Sequence, residues 1–428
     1  MPPSAHPAAA EPHVATLPNG VRALTLPMPH LHTVHVSVFV RSGSQHEDKP
    51  LNGISHFVEH MAFKGTRTRD CQRINLDAER LGAEVNAHTD RDHTAFHMHG
   101  LPEHTALFVQ MLGDIVREGS FPEAELERER QVILQEYAED EDDALSTAFK
   151  LFDKTCFGDH PVARPVIGTR RHIERFSRAD LLDYVRRQYT GTNVVVGVAG
   201  PVAPDTVVRA VEAAFGSMAA GTPNRVDPPA YVGGLATRRI AGYSQAHLVL
   251  GFPIPSLAQP HEAAVVAAAL YGEGMSSPLL DQIRERRGLA YHAACSADVM
   301  PLAGQFVIEA STAPEHVDEF FTEAMRLLHD QAGRTDPVDL SRARNQIRVR
   351  GLRAQERAVQ RVESAAQDLF VFGRVRPREE LMARLEAVDA AQVRAVFEQM
   401  LATPAAVAIA GRMARGAGER VQAAVAPR

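Results

Sequence analysis

The chain has 428 residues, which at roughly 100–200 residues per domain predicts two to four domains, two of about 200 being the simplest division. Hydrophobic residues make up 45% and charged residues 23%, which excludes a disordered chain, a collagen and a coiled coil. Net charge is -7, so no basic excess marks a nucleic-acid or anionic-membrane surface.

The opening stretch MPPSAHPAAAEPH has neither a basic nor an apolar segment, so no secretory signal is expected and a cytoplasmic location is favoured. VRALTLP and TVHVSVFV follow and read as strands. His30, His32 and His35 are expected on loop and strand surface.

GISHFVEHMAFKG comes next and carries His56, Glu59 and His60. On a helix turning about 100° per residue, with His56 as zero, Glu59 falls at about 300° and His60 at about 40°. All three share one arc, opposite Ile54, Phe57, Val58 and Met61. Two histidines at i and i+4 can share a zinc ion, and a carboxylate just before the second can act on water there. The alternative is an amphipathic helix whose polar face happens to hold these groups.

VNAHTDRDHTAFHMHG reads as a strand pair. It carries His93, His97 and His99, of which the last two share a strand face by period two, so a polar strand face is expected there, with a second metal as the alternative. The helix over 123–139 then sets two acids in an apolar stripe. With Glu129 as zero, Glu136 falls at about 340°, Val132 at about 300° and Ile133 at about 40°. Buried carboxylates need a cation. A metal is one, and an Arg from elsewhere is another. EDEDD (139–143) reads as a solvated charge run.

The chain then repeats itself. Pro-Glu-His at 102–104 returns at 314–316, LERERQVILQE at 126 returns as LSRARNQIRVR at 340, and RRQYTGTNVVVGVAG at 186 returns as FEQMLATPAAVAIAG at 397. The shared spacing of about half the chain indicates gene duplication rather than a solenoid. Both halves give strands, a helix, a strand pair, further helices and a last apolar strand. The expected fold is therefore α+β, two homologous domains each with a mainly antiparallel sheet packed with helices. The linker is expected near the Gly/Pro-rich stretch 216–234, giving domains over 1–220 and 236–428 with 221–235 between.

In the second half Glu136 corresponds to Arg350 and Glu129 to Ala343, and AAALYGEGM (266–274) has no H-x-x-E-H. The metal chemistry belongs to the first half. The longest apolar run, Ala263 to Tyr271, is far short of the ~20 residues of a membrane helix. The Arg-rich stretch 342–361 lacks interleaved aromatics and reads as a solvated helix. Cys71, Cys156 and Cys295 form no CxxC pair, which fits a reducing compartment.

H-x-x-E-H followed 76 residues after its second His by Glu136 in a V-I-x-x-E context resembles the pitrilysin/insulinase/mitochondrial processing peptidase family, and most closely its half-length bacterial members. The resemblance implies a zinc endopeptidase acting on short or unfolded peptides, with one Zn²⁺ per chain held by His56, His60 and Glu136. It makes Glu59 the general base and Glu129 an acid assisting the site. Arg284 and Tyr291 in DQIRERRGLAY resemble the family's substrate-contacting pair, and GEGMSSPL (272–279) its glycine-rich loop. Asn86 and Ala87 match the edge strand on which the family lays its peptide. Ser146 and Lys150 stand where the mitochondrial enzymes place acids that select Arg, so Arg-directed presequence cleavage is not implied. The resemblance also implies a homodimer, or a heterodimer with a related subunit, to complete the site. The competing class is a non-catalytic core subunit with the same fold, which typically lacks metal or base residues.

Overall fold

Along β3 (Val34–Val40) Val34, Val36, Val38 and Val40 point to one face and His35, Ser37 and Phe39 to the other, as the two-residue period requires. Every residue of the strand is buried, so its sheet is covered on both sides. The computed structural model describes residues 11–426. It places β3 inside a six-stranded sheet with β1 (His13–Thr16), β2 (Arg22–Pro27), β4 (Glu84–Thr89), β5 (Thr94–Gly100) and β6 (Val194–Gly200), in the order β1-β2-β6-β3-β5-β4. β2 and β6 pair in parallel, and the other neighbours pair antiparallel.

A second sheet contains β7 (Gly234–Arg239), β8 (Ala246–Ile254), β9 (Ala290–Val299), β10 (Gly304–Thr312) and β11 (Ala406–Gly411), in the order β7-β11-β8-β10-β9. Here too one pair, β7 with β11, is parallel. The duplicated α+β architecture is as expected from the repeats.

The chain divides into two compact units. One runs to Tyr137 and adds Pro165–Val226 and Arg353–Val375; the other comprises Ala138–Arg164, Asp227–Leu352 and the segment from Arg376 onward. Each unit thus includes a helical segment from the other side of the Gly/Pro-rich stretch.

In the first unit, one sheet face packs on helices Ile54–Ala62, Thr105–Arg117, Arg178–Gln188 and Pro204–Phe215, through Phe57, Phe96, Phe108 and Tyr184. The opposite face is covered by helix Ala358–Phe372, whose Val362, Ala365, Ala366 and Leu369 meet Leu24, Phe39, Ala95 and Val195. Gly197 in mid-β6 permits this approach: a Cβ there would lie 2.4 Å from Val362 Cγ1. His35 faces this covered side and is buried, contrary to expectation; His30 and His32 are exposed, as expected.

In the second unit, helices Glu262–Gly272, Val317–Gly333 and Ala390–Leu401 cover one face through Tyr271, Phe306, Phe320 and Phe397. Helix Ala144–Phe157 covers the other through Ala148, Phe152 and Cys156. Gly251 serves that contact, since a Cβ there would lie 2.5 Å from both Phe152 Cζ and the Phe306 carbonyl oxygen. Among the described residues no helix is long and apolar enough to cross a membrane.

Candidate metal centre

Helix Ile54–Ala62 begins at Gly53, whose φ of 98° lies in the left-handed region that glycine tolerates. Its first turn is held by Glu47. One oxygen of that buried carboxylate accepts from Gly53 N at 2.8 Å and the other from Ser55 N at 2.9 Å. Burial raises the Glu47 pKa, and these hydrogen bonds oppose that. A carboxylate at a helix N-terminus satisfies otherwise orphaned N–H groups. Ile54, Phe57, Val58 and Met61 are buried, so the polar arc faces away from the core as the spacing predicts.

On that arc His56, His60 and Glu136 converge. Each offers one ligand atom, and these atoms lie within 4.8 Å of one another. His56 Nε2 is 3.5 Å from Glu136 Oε1, and His60 Nε2 is 3.4 Å from Glu136 Oε2. Atoms bound at 2.0–2.1 Å around a tetrahedral zinc ion lie about 3.3–3.4 Å apart, so the three donors fit one such ion. Glu136 comes from helix Glu123–Asp142. Its side chain is 47% exposed, because the apolar stripe of its helix runs through Leu126 and Ile133 while Val132 faces solvent at 50% exposure. Glu136 therefore sits at the rim of the stripe, not inside it.

Glu129 is inside it, at 7% exposure. Its Oε1 is 3.0 Å from His60 Nδ1, and its Oε2 is 2.7 Å from Lys64 Nζ. Burial raises the Glu129 pKa, but the hydrogen bonds to His60 and Lys64 outweigh it and leave the carboxyl below its ordinary range. His60 is pulled the other way. Burial lowers its pKa, and the hydrogen bonds to Glu129 and Glu136 push it up to about 9. Hydrogen bonds from His56 and then His60 hold Glu136 well below the usual carboxylate range. The carboxylate-to-histidine contact is the support that orients a ligating imidazole. His56 Nδ1, by contrast, is buried with no hydrogen-bond partner among the described residues.

Glu59 lies on the same helix. Thr89 Oγ1, from the end of β4, donates to its Oε2 at 2.6 Å. Asn86 and Ala87 sit on β4, which among the described residues is one of the two edge strands of the sheet. The exposed Asn86 uses its own Oδ1 to accept from Ala87 N at 2.8 Å.

Arg284 and Tyr291 belong to the second unit. Arg284 lies in a wide turn of helix at Asp281–Arg286 and Tyr291 on β9, one of the two edge strands there. The guanidinium stands 5.1 Å from the centre of the Tyr291 ring, and Tyr291 is 83% exposed. Such a cation–π pair keeps the guanidinium and the ring together.

Glu47, Lys64 and Thr89 were not singled out from sequence. Lys64 carried a signal: it is one of four lysines in the chain and follows His60 by four residues. The acidic run at 139–143 is partly paired rather than free, with Lys150 on Asp140 and Glu141 and Arg238 on Glu141.

The insulinase (peptidase family M16) family model matches residues 22–170, and the peptidase M16 inactive domain model matches residues 175–347. An uncharacterized zinc protease of Rickettsia bellii is 31% identical over 402 residues, covering 93% of this chain and 97% of that one. A protease from Helicobacter pylori has a similar fold, with a TM-score of 0.84 at 20% identity over 94% of this chain and 99% of that one. So has a chain of complex III2 from Candida albicans, with a TM-score of 0.82 at 18% identity over 96% and 99%.

Proposed function

This chain belongs to the insulinase-type peptidase family M16, and from that we propose that it is a zinc-dependent endopeptidase hydrolysing peptide bonds in short or unfolded peptides. The observation that carries the reading is the convergence of His56, His60 and Glu136 beside a Glu59 already fixed by Thr89. His56, His60 and Glu136 would hold the ion, and Glu129 would orient His60. When bound, the ion supplies Lewis acidity, bringing the pKa of water to about 7 and polarising a carbonyl.

The chain's own groups do the rest. Glu59 takes the proton of the attacking water and returns it to the leaving amine. Arg284 or Tyr291 hydrogen-bonds the developing oxyanion. The free edge of β4 at Asn86 and Ala87 pairs with an extended peptide through main-chain hydrogen bonds, which gives affinity with little demand on sequence. For Ala87 this requires Asn86 to release the N–H it now occupies.

The deciding assay is cleavage of a quenched fluorescent peptide by metal-loaded wild type and Glu59→Gln. The general base should be worth at least about a hundredfold in kcat. Equal, negligible turnover in both would overturn the reading in favour of a non-catalytic core subunit. We further propose that two chains pair to complete the site, as a homodimer or with a related subunit; sedimentation of the active protein as a lone chain would refute this. Three widely spaced cysteines with no CxxC pair support a reducing compartment such as the cytoplasm.

A further inference from the structure

Along β4, alternate residues serve opposite faces of the sheet. Thr89 turns toward the helix bearing Glu59. His88, one residue earlier, turns to the face covered by helix Ala358–Phe372. There a second set of donors converges: His88, Asp90, His93 and Glu363 each offer one ligand atom, all within 4.8 Å of one another. Glu363 comes from that covering helix, and the other three from β4 and the tight turn into β5, where Asp90 N donates to the His93 carbonyl at 2.8 Å.

His93 has the environment of a ligand. Its side chain is 8% exposed. Its Nδ1 lies 3.1 Å from Asp92 Oδ1, so that nitrogen carries the N–H and Nε2 is the one available to ligate. That Nε2 is buried with no hydrogen-bond partner among the described residues. A buried polar atom without a partner is costly, and a carboxylate holding the far nitrogen of an imidazole is the support found behind ligating histidines. Two neutral imidazoles with two carboxylates match the charge of a divalent ion. Imidazole donors select zinc and its first-row neighbours over calcium and magnesium.

We propose that His88, Asp90, His93 and Glu363 bind a second divalent cation of the zinc class, which fastens the β4–β5 turn to helix Ala358–Phe372. Four protein ligands make a closed, structural site, whereas three leave the open position that catalysis needs. Thr89 stands between two of the four ligands, so this ion also steadies the residue that holds Glu59.

The test counts metal. Full-length protein is stripped with chelator, reloaded with Zn²⁺, desalted into metal-free buffer and analysed by mass spectrometry for metal per chain. Wild type should hold two equivalents, Glu136→Gln one, Glu363→Gln one, and the double variant almost none. Zinc should raise the melting temperature of Glu136→Gln but not of the double variant. Far-UV circular dichroism checks folding, and His88→Gln replaces Glu363→Gln if the latter misfolds. One equivalent in wild type that Glu136→Gln abolishes would overturn the second site while leaving the peptidase reading intact. One equivalent that survives Glu136→Gln and is lost in Glu363→Gln would uphold it and count against the catalytic centre. Full wild-type content in Glu363→Gln, or in its stand-in, would also overturn it.

Discussion

Helix Glu123–Asp142 and helix Pro337–Gln355 are the same element in the two copies of the repeat, and they carry opposite chemistry. In the first, Glu129 is buried against His60 and Lys64, and Glu136 faces two imidazoles. In the second, Ala343 is fully buried and Arg350 is an exposed partner of Glu273 at 2.6 Å. The preceding helices differ likewise. Ile54–Ala62 turns a polar arc outward, whereas Glu262–Gly272 is apolar from Ala263 to Tyr271, buries most of its residues and lets Tyr271 donate to the Ala324 carbonyl at 3.0 Å. A buried carboxylate needs cations or hydrogen-bond donors beside it, as Glu129 has His60 and Lys64 and Glu47 has backbone N–H groups. The second copy drops acid and cations together and keeps its fold, so the fold itself does not require these charges.

That contrast can be broken most directly at Glu136. In Glu136→Gln, metal affinity and peptide cleavage should fall by more than the roughly 10–100-fold typical of residues that merely orient a ligand. Arg350→Ala, at the matching position, should change stability by no more than about 1 kcal/mol, as befits an exposed ion pair. Zinc titration and denaturant unfolding read the two. An equal loss in both would mean that neither copy is specialised.

Glu129→Gln comes next. The amide still fills the space but no longer balances Lys64 or holds His60 as firmly, so a roughly 10–100-fold loss of metal affinity or activity is expected. The overall fold should survive, as checked by unfolding midpoints. The reverse change, Ala343→Glu, buries an unpaired acid and should destabilise the second unit by several kcal/mol.

The covering helices give a smaller and more symmetrical test. Gly197→Ala presses on Val362 Cγ1, a side-chain atom, while Gly251→Ala meets the Phe306 carbonyl as well as Phe152. Overpacking costs about 1–3 kcal/mol, and Gly251→Ala should lie at the upper end because backbone cannot move aside. Val362→Ala should restore much of the loss in Gly197→Ala and none in Gly251→Ala, measured by denaturant midpoints.

These positions also mark what the sequence could and could not reveal. His56, Glu59 and His60 were legible because helical spacing alone puts them on one arc. Glu129 was legible as an acid needing a cation, but the identity of that cation was not: Lys64 lies past the end of its helix, and Thr89 arrives from a strand. The half-exposure of Glu136 was hidden because Val132 is apolar yet faces solvent. The sheets followed from the repeats. An apolar helix stripe, however, does not encode which sheet it covers, so nothing in 144–157 or 358–372 announced that each packs in the unit beyond the Gly/Pro-rich stretch.

The smallest expected effect separates the two sheets themselves. His35 on β3 and His247 on β8 are 212 residues apart, within the spacing of the repeats, and each meets a serine hydroxyl, Ser37 at 2.7 Å and Ser311 at 3.0 Å. Burial, aided by His97 and His99, drives the His35 pKa down to about 3. His247, less deeply covered, is also lowered by burial, with Asp143 opposing. The unfolded chain binds a proton at His35 below pH 6.5, and the folded chain does not until about pH 3. Stability is therefore complete above pH 6.5 and falls as pH drops toward 3, at a limiting slope of about 1.4 kcal/mol per pH unit. The first unit below 6.5 removes on the order of 1 kcal/mol. His35→Gln abolishes that titration and should narrow the stability gap between pH 7.5 and pH 5 more than His247→Gln does. If both variants leave the gap unchanged, burial of His35 is not what makes the first sheet sensitive to acid.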